Sequence, residues 1–130
     1  IRRGAMIYPR DRQNQRELQK LEPAMAYVEQ HFASAIRIEQ AAALCFMSKT
    51  YFSRCFHQAT GKTFSAYVQH VRLYKVREKL SQTELTVEAI ADLTGFSSAS
   101  HLSAVFRGQT GSSPSVWRKN NRIQADPATR

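Results

Sequence analysis

The sequence contains an internal repeat, and this repeat limits the possible folds more than any other feature. With a shift of 50 positions, identical residues coincide: Ser48 with Ser98, Ser53 with Ser103, Phe56 with Phe106, Thr60 with Thr110, Gly61 with Gly111 and Ser65 with Ser115. Upstream the best shift is 49, and it pairs Ile38 with Val87, Glu39 with Glu88, Ala42 with Ala91 and Leu44 with Leu93. The one-residue difference falls between these blocks, where a turn tolerates a change of length. The repeated unit is a short helix, a tight turn, a longer helix and a glycine, which is the order of a helix-turn-helix.

Capping residues predict where the helices begin and end. Pro23 is expected to open the first helix, because proline is favoured at the first helical position. Good N-cap residues precede five later helices: Ser48, Thr63, Thr86, Ser98 and Ser113. Glycines are expected to end three of them: Gly61, Gly95 and Gly111. With a short helix over residues 38–44, we predict an all-α fold of seven helices, with two helix-turn-helix subdomains joined by a long linker helix.

The domain limits follow from these helices. We predict one DNA-binding domain over residues 21–121. Its first helix-turn-helix covers residues 38–60, its linker helix residues 64–80 and its second helix-turn-helix residues 87–110. Residues 1–20 are expected to be a linker and residues 122–130 a tail. Because the chain starts at Ile1 and not at methionine, we expect it to be a fragment from which an N-terminal domain is missing.

The longer helix of each repeat has one apolar and one polar face. In the first, helical spacing places together Phe52, Cys55, Phe56 and Ala59, and on the opposite side Thr50, Ser53, Arg54 and His57. In the second, the inward residues are Leu102, Val105 and Phe106, and the outward residues are Ser100, Ser103, Ala104 and Arg107. A polar face on a single helix is ordinarily solvated surface. Two such faces, each following a helix and a turn, favour insertion into the major groove of DNA.

The candidate DNA-binding residues are those of the helix starts and outer faces. In the first recognition helix they are Ser48, Lys49, Thr50, Ser53, Arg54 and His57. In the second they are Ser98, Ala99, Ser100, His101, Ser103, Ala104 and Arg107. The Arg54 guanidinium can donate two hydrogen bonds to guanine, and amides at the helix starts favour phosphate. The linker helix, about 17 residues or roughly 25 Å long, would set the spacing of the two readers.

The charge of the chain indicates a polyanionic partner. It carries 19 Lys and Arg against 10 Asp and Glu, a net charge of +9. Basic residues concentrate in two segments: Lys49, Arg54, Lys62, Arg72, Lys75, Arg77 and Lys79 in residues 48–80, and Arg107, Arg118, Lys119 and Arg122 in residues 98–122. Between them, residues 83–93 hold three acids and no base: Glu84, Glu88 and Asp92. We predict two basic surfaces separated by a scaffold.

Two segments resemble the DNA-binding domain of the AraC/XylS family of bacterial transcription regulators. They are Ile38–Arg72 and, more specifically, Ile90–Trp117, which reads IADLTGFSSASHLSAVFRGQTGSSPSVW. The matching motif is Ile90-Ala91, Gly95-Phe96, Phe106, Gly111, Pro114 and the aromatic residue Trp117. The resemblance covers residues 21–121. It implies seven helices, binding to double-stranded promoter DNA and contact with RNA polymerase. Any effector or dimer contacts would then belong to a domain outside this chain.

The chain departs from the family pattern in the second recognition helix. The family often has a long polar or basic side chain where this sequence has Ala104, and the nearby positions hold the short residues Ser100 and Ser103. The first helix keeps Arg54 at the matching position. We therefore expect the first half to carry most of the base discrimination.

Other functions receive less support from the sequence. A basic amphipathic module for an anionic membrane or a protein would not need two helix-turn-helix units, and a nonspecific packager of nucleic acid would not need short outer faces. No catalytic constellation, metal site or cofactor motif is evident, so we expect no enzyme activity, cofactor or metal. Tyr67 and Trp117 could stack on bases, but their spacing favours the core. We expect Cys45 and Cys55 to be reduced core residues of a cytoplasmic protein.

Overall fold

Helices account for the regular structure of the residues that the structure describes. The computed structural model describes residues 9–122, with side chains from residue 15 onward. In this range the elements are α1 (Pro9–His31), α2 (Ile38–Leu44), α3 (Lys49–Thr60), α4 (Phe64–Gln82), α5 (Val87–Thr94), α6 (Ala99–Thr110) and α7 (Pro114–Asn121). The predicted all-α class with seven helices is confirmed. Residues 1–8 of the predicted linker and residues 123–130 of the predicted tail lie outside the described residues, whereas residues 9–20 of that linker belong to helix α1.

The chain divides into two compact units, and each unit contains one helix-turn-helix. Among the described residues, the first unit contains those up to His31 and residues 36–69, with the pair α2 and α3. The second contains residues 32–35 and the described residues from His70 onward, with the pair α5 and α6. Helix α4, 19 residues long, is continuous across the boundary between the units. Among residues 9–122, no helix is long and apolar enough to cross a membrane.

Helix α1 begins much earlier than the sequence predicts. The predicted start at Pro23 is wrong, because Pro23 lies inside a helix that already begins at Pro9. A proline in a helix interior costs about 3 kcal/mol. The neighbouring Leu21, Ala24 and Val28 are fully buried in the first unit. Burying a large aliphatic side chain contributes about 1.5–3 kcal/mol, so this packing offsets the cost of the proline.

Aromatic rings form the core of the first unit. Phe52 and Phe56 of α3 are fully buried, as their predicted inward face requires. The ring of Phe64 meets both at centroid distances of 5.3 and 5.5 Å, and Tyr67 packs edge-on against Phe56 at 5.3 Å. Such edge-to-face pairs contribute about 0.5–1.5 kcal/mol beyond the area that they bury. Tyr67 is half-buried and packs against this core through Phe56, and the predicted buried free thiols of Cys45 and Cys55 are confirmed.

The second unit has an aliphatic core with two aromatic residues. Its buried members come from α4, α5 and α6 and from the turn between α5 and α6: Leu73, Val76, Leu80, Ile90, Ala91, Phe96, Leu102 and Phe106. Trp117 packs against this cluster, with its ring edge-on to Phe106 at a centroid distance of 5.7 Å. Trp117 therefore has the same place in the second unit that Tyr67 has in the first.

The predicted helix caps are all present. In every one, the side-chain hydroxyl of the cap accepts a hydrogen bond of 3.0–3.2 Å from the backbone amide three residues later. The caps are Ser48, Thr63, Thr86, Ser98 and Ser113. The three predicted terminal glycines adopt the left-handed conformation: Gly61, Gly95 and Gly111. Replacing such an N-cap with alanine costs about 0.5–2 kcal/mol, so these short polar residues define the helix boundaries.

Candidate nucleic-acid interface

The outer face of α3 is open to solvent along its length. Its inward residues Phe52, Cys55 and Phe56 are buried. The side chains predicted to contact DNA lie opposite and are all exposed: Thr50, Ser53, Arg54 and His57. This separation of faces follows from the four-residue spacing of a helix. It leaves one guanidinium, that of Arg54, among polar groups on this exposed face.

The start of α3 carries an ion pair that the sequence did not predict. The Lys49 ammonium lies 3.6 Å from a carboxylate oxygen of Glu39, which is in the first turn of α2. A backbone hydrogen bond at Glu39 lowers the pKa of its carboxyl, and the charges of Lys49 and Arg37 lower it further. Lys49 is therefore exposed as predicted, but its ammonium forms an ion pair with the Glu39 carboxylate of the same unit.

The outer face of α6 is exposed but offers shorter groups. Ser100, Ala104 and Arg107 are exposed, and Ser103 is half-buried. His101 is exposed too, although its ring packs edge-on against Phe96 at 5.5 Å and its Nδ1 lies 3.3 Å from the Ser97 hydroxyl. These contacts draw the imidazole toward the preceding turn. Only Arg107 has a long side chain on this face.

A shallow groove of about 550 Å³ runs beside α6 in the second unit. Residues from three helices and the Ser113 cap line it: Val87, Glu88, Ala99, Ser100, Ser103, Ser113, Pro114 and Ser115. Two of the predicted DNA contacts, Ser100 and Ser103, therefore lie next to the first turns of α5 and α7. Glu88 also lines this groove and forms no ion pair with any residue that the structure describes.

The sequence places Arg72 in a basic surface, but in the structure its guanidinium is bound to backbone carbonyls. Its Nε donates to the Phe32 carbonyl at 2.7 Å, and its Nη2 donates to the Ser34 carbonyl at 2.8 Å. The side chain is half-buried, and this burial lowers the pKa of Arg72. Carbonyls after a helix lack partners within the helix, so Arg72 satisfies groups at the end of α1.

Arg118 and Arg122 likewise depart from the predicted second basic surface. Arg118 donates to the Leu80 carbonyl at 2.9 Å and to the Thr83 carbonyl at 3.2 Å. Arg122 donates to the Thr83 carbonyl at 3.3 Å and pairs with Glu84. Both side chains are half-buried, and their acceptors lie at or just after the end of α4. The charge of residues 98–122 is therefore partly structural, and Glu84 of the predicted acidic scaffold neutralises some of it.

Two further cations of α4 rest on aromatic rings. The Lys75 ammonium lies 5.4 Å from the centre of the Phe32 ring, and the Arg77 guanidinium lies 6.0 Å from that of Tyr74. The exposed cations of the predicted basic segments are Lys49, Arg54, Lys62, Arg107 and Lys119. The candidate interface is therefore smaller and less densely charged than the sequence indicated.

The fold and the two polar faces define a tandem helix-turn-helix domain. The family model "Helix-turn-helix domain" matches residues 40–120. The chain belongs to this family in its AraC-type form, which confirms the resemblance seen in the sequence.

Similar proteins agree with this assignment. The regulatory protein PocR of Salmonella typhimurium is 30% identical over 83% of the chain, but the chain spans only 36% of PocR. The crystal structure of a transcriptional regulator with an AraC-type DNA-binding domain from Chromobacterium violaceum is 27% identical. It superimposes with a TM-score of 0.76 over 85% of this chain and 96% of that one. The DNA-binding domain of AdpA, solved in complex with a target DNA, is 29% identical, with a TM-score of 0.73 over 78% and 91%.

Proposed function

We propose that this chain binds double-stranded promoter DNA in a sequence-specific manner and is the DNA-binding part of a bacterial transcription regulator, without enzyme activity of its own. The observation that carries the proposal is the pair of helix-turn-helix units, each with a capped recognition helix whose polar face is exposed and whose apolar face is buried. In such a motif the second helix enters the major groove. We infer that α3 and α6 occupy successive major-groove segments.

The first recognition helix is proposed to supply most of the base discrimination. Arg54 is exposed in the middle of α3, and its forked guanidinium fits the O6 and N7 acceptors of guanine. Thr50 and Ser53 lie on the same face, where their hydroxyls can meet a base edge or a phosphate. Ser48 already accepts a hydrogen bond from the Tyr51 amide, so only its own hydroxyl proton is left to donate to DNA.

The second recognition helix is proposed to bind mainly through shape and phosphate contacts. The side chains of Ser100, Ser103 and Ala104 are too short to reach far into the major groove. Ser98 and Ala99 lie at the start of the helix, where backbone amides favour phosphate. Arg107 lies a turn after Ser103 and would meet a phosphate at the groove wall. Such contacts place the domain on the duplex without reading its sequence.

The remaining partners concern the whole protein. The chain spans about a third of PocR, so the sensing, dimer and effector contacts of a complete regulator would lie in the rest of the protein. We infer that it acts in the cytoplasm, where promoters are, and that it contacts RNA polymerase when bound there.

A binding titration tests this proposal. A duplex selected from a random pool should bind at least tenfold more tightly than a scrambled duplex of equal length and composition. Footprinting on the selected duplex should show protection over about two helical turns on one face. Equal affinity for the two duplexes would indicate a nonspecific packager, and protection over a single half-turn would mean that only one unit binds.

A further inference from the structure

Glu39 and Glu88 have equivalent positions in the two units but different surroundings. Each lies in the first turn of the helix before its recognition helix. Glu39 pairs with Lys49, the first residue of α3, whereas the matching first residue of α6 is Ala99. In the second unit, Glu88 is one of the residues that line the groove beside α6. The repeat therefore gives the two glutamates equivalent positions, but of these two only Glu39 forms an ion pair within the described part of the chain.

We propose that Glu39 is a specificity-determining residue, because its carboxylate holds the Lys49 ammonium and so limits indiscriminate phosphate binding by the first recognition helix. This inference rests on the proposed function, since it requires α3 to meet DNA. A lysine ammonium is a point charge that binds any phosphate, whatever the base sequence. The carboxylate on the neighbouring helix competes for that charge.

Release of Lys49 favours nonspecific complexes more than specific ones. On scrambled DNA the domain binds in the position where the largest number of its cations contact phosphates, because nonspecific binding is electrostatic. A free Lys49 adds one such contact. On the selected site, base contacts by Arg54 fix the register, so Lys49 has fewer positions in which it can gain a phosphate. Glu39 therefore widens the difference in affinity between the two kinds of DNA.

Charge-neutralising variants test the inference. Glu39→Gln should raise affinity for the scrambled duplex by about two- to fivefold, the range expected for releasing one exposed ion pair. The slope of log affinity against log salt should steepen by about 0.9 on that duplex, for one more phosphate neutralised. Affinity for the selected duplex should rise less, so discrimination falls.

Glu88→Gln is the matched control. It removes the same charge from the first turn of the equivalent helix but releases no ammonium, so the salt slope should stay as in the unchanged protein. Thermal unfolding of each variant checks that both remain folded. Equal changes in slope for Glu39→Gln and Glu88→Gln would overturn the inference, since net charge alone would then explain them.

A double variant separates Lys49 from Arg37, whose charge also acts on Glu39. In a Lys49→Gln background, Glu39→Gln should leave the salt slope unchanged. A persistent increase would show that Arg37 is the released cation, and the role assigned to the ion pair would be wrong. The proposed function fails separately: if the unchanged protein shows no preference for the selected duplex, α3 does not read DNA, whatever the variants do.

Discussion

Arg72 and Arg122 stand 50 positions apart, and each donates hydrogen bonds to backbone carbonyls just after an earlier helix. Arg72 donates to the Phe32 and Ser34 carbonyls after α1, and Arg122 donates to the Thr83 carbonyl after α4. The internal repeat therefore extends beyond the recognition helices to a pair of arginines, 50 positions apart, that satisfy backbone carbonyls. Both arginines look in the sequence like parts of a DNA-binding surface, and both have a structural role.

Arg72→Ala should lower the free energy of unfolding by about 2 kcal/mol, because hydrogen bonds from a charged donor contribute about 1.5–3 kcal/mol. Chemical denaturation measures this change. The salt slope of DNA binding by the folded protein should not change. Arg54→Ala, on an exposed helix surface, should show the reverse pattern, with stability altered by about 0.5 kcal/mol or less. A shallower salt slope for Arg72→Ala would place its charge at the DNA after all.

Gly95→Ala should destabilise the domain far more than Gly61→Ala. Both glycines have left-handed backbones, with φ of 90° and 77°. A Cβ at Gly95 would lie 2.6 Å from the Phe32 carbonyl oxygen and 2.8 Å from Arg72 Nε, whereas one at Gly61 meets nothing within 4 Å. We expect about 1 kcal/mol of strain at Gly61 and about 3 kcal/mol at Gly95, where the clash is added. Equal unfolding midpoints for the two variants would contradict the close approach of Phe32.

Phe46→Gly should be more stable than Phe46→Ala by about 1 kcal/mol. Phe46 has a φ of 58° in the turn before α3 and is 97% exposed, so its ring contributes little packing. Alanine keeps the left-handed strain, whereas glycine removes it. Thermal unfolding of the two variants measures the difference. If Phe46→Ala were itself strongly destabilising, the ring would have a packing role that its exposure does not indicate.

Arg54 and Arg107 should differ in what they do for DNA binding. Arg54→Ala should cost about 1–3 kcal/mol on the selected site and relax the preference at one or two base pairs. Arg107→Ala should weaken all sequences about equally and reduce the salt slope by roughly one. Affinities on single-base variants of the selected duplex distinguish the two. Loss of all preference in Arg107→Ala, with Arg54→Ala unchanged, would assign specificity to the second unit.

Ala104→Gly tests whether the second recognition helix reads bases through its short side chains. Ala104 offers one methyl group, so base preference on the same duplexes should hardly change. Stability should fall by about 1 kcal/mol, because glycine is a poor helix former. A clear change of preference at one base pair would show that the Ala104 methyl contacts that base.

Local features of the sequence were sufficient for the helix boundaries from α2 onward and for the faces of the recognition helices. Ser48 and Gly61 mark the ends of α3 because capping depends on bonds within a few residues. Phe52 and Arg54 lie on opposite faces because helical geometry alone separates them. The start of α1 could not be found in this way, since Pro23 indicates a beginning and only the burial of Leu21 and Val28 overrides it.

By itself, then, the sequence determined the helices from α2 onward, their order and the side of each recognition helix that faces outward, because caps, turns and periodicity act over a few residues. Only the tertiary structure decided which charges are available to a partner. Arg72 reaches the carbonyl of Phe32, 40 residues away, and Arg118 reaches that of Leu80, 38 residues away. Lys49 meets Glu39 on another helix. A cation in a sequence has no partner until the fold brings a carbonyl or a carboxylate to it, and that pairing separates structural from DNA-binding arginines and lysines.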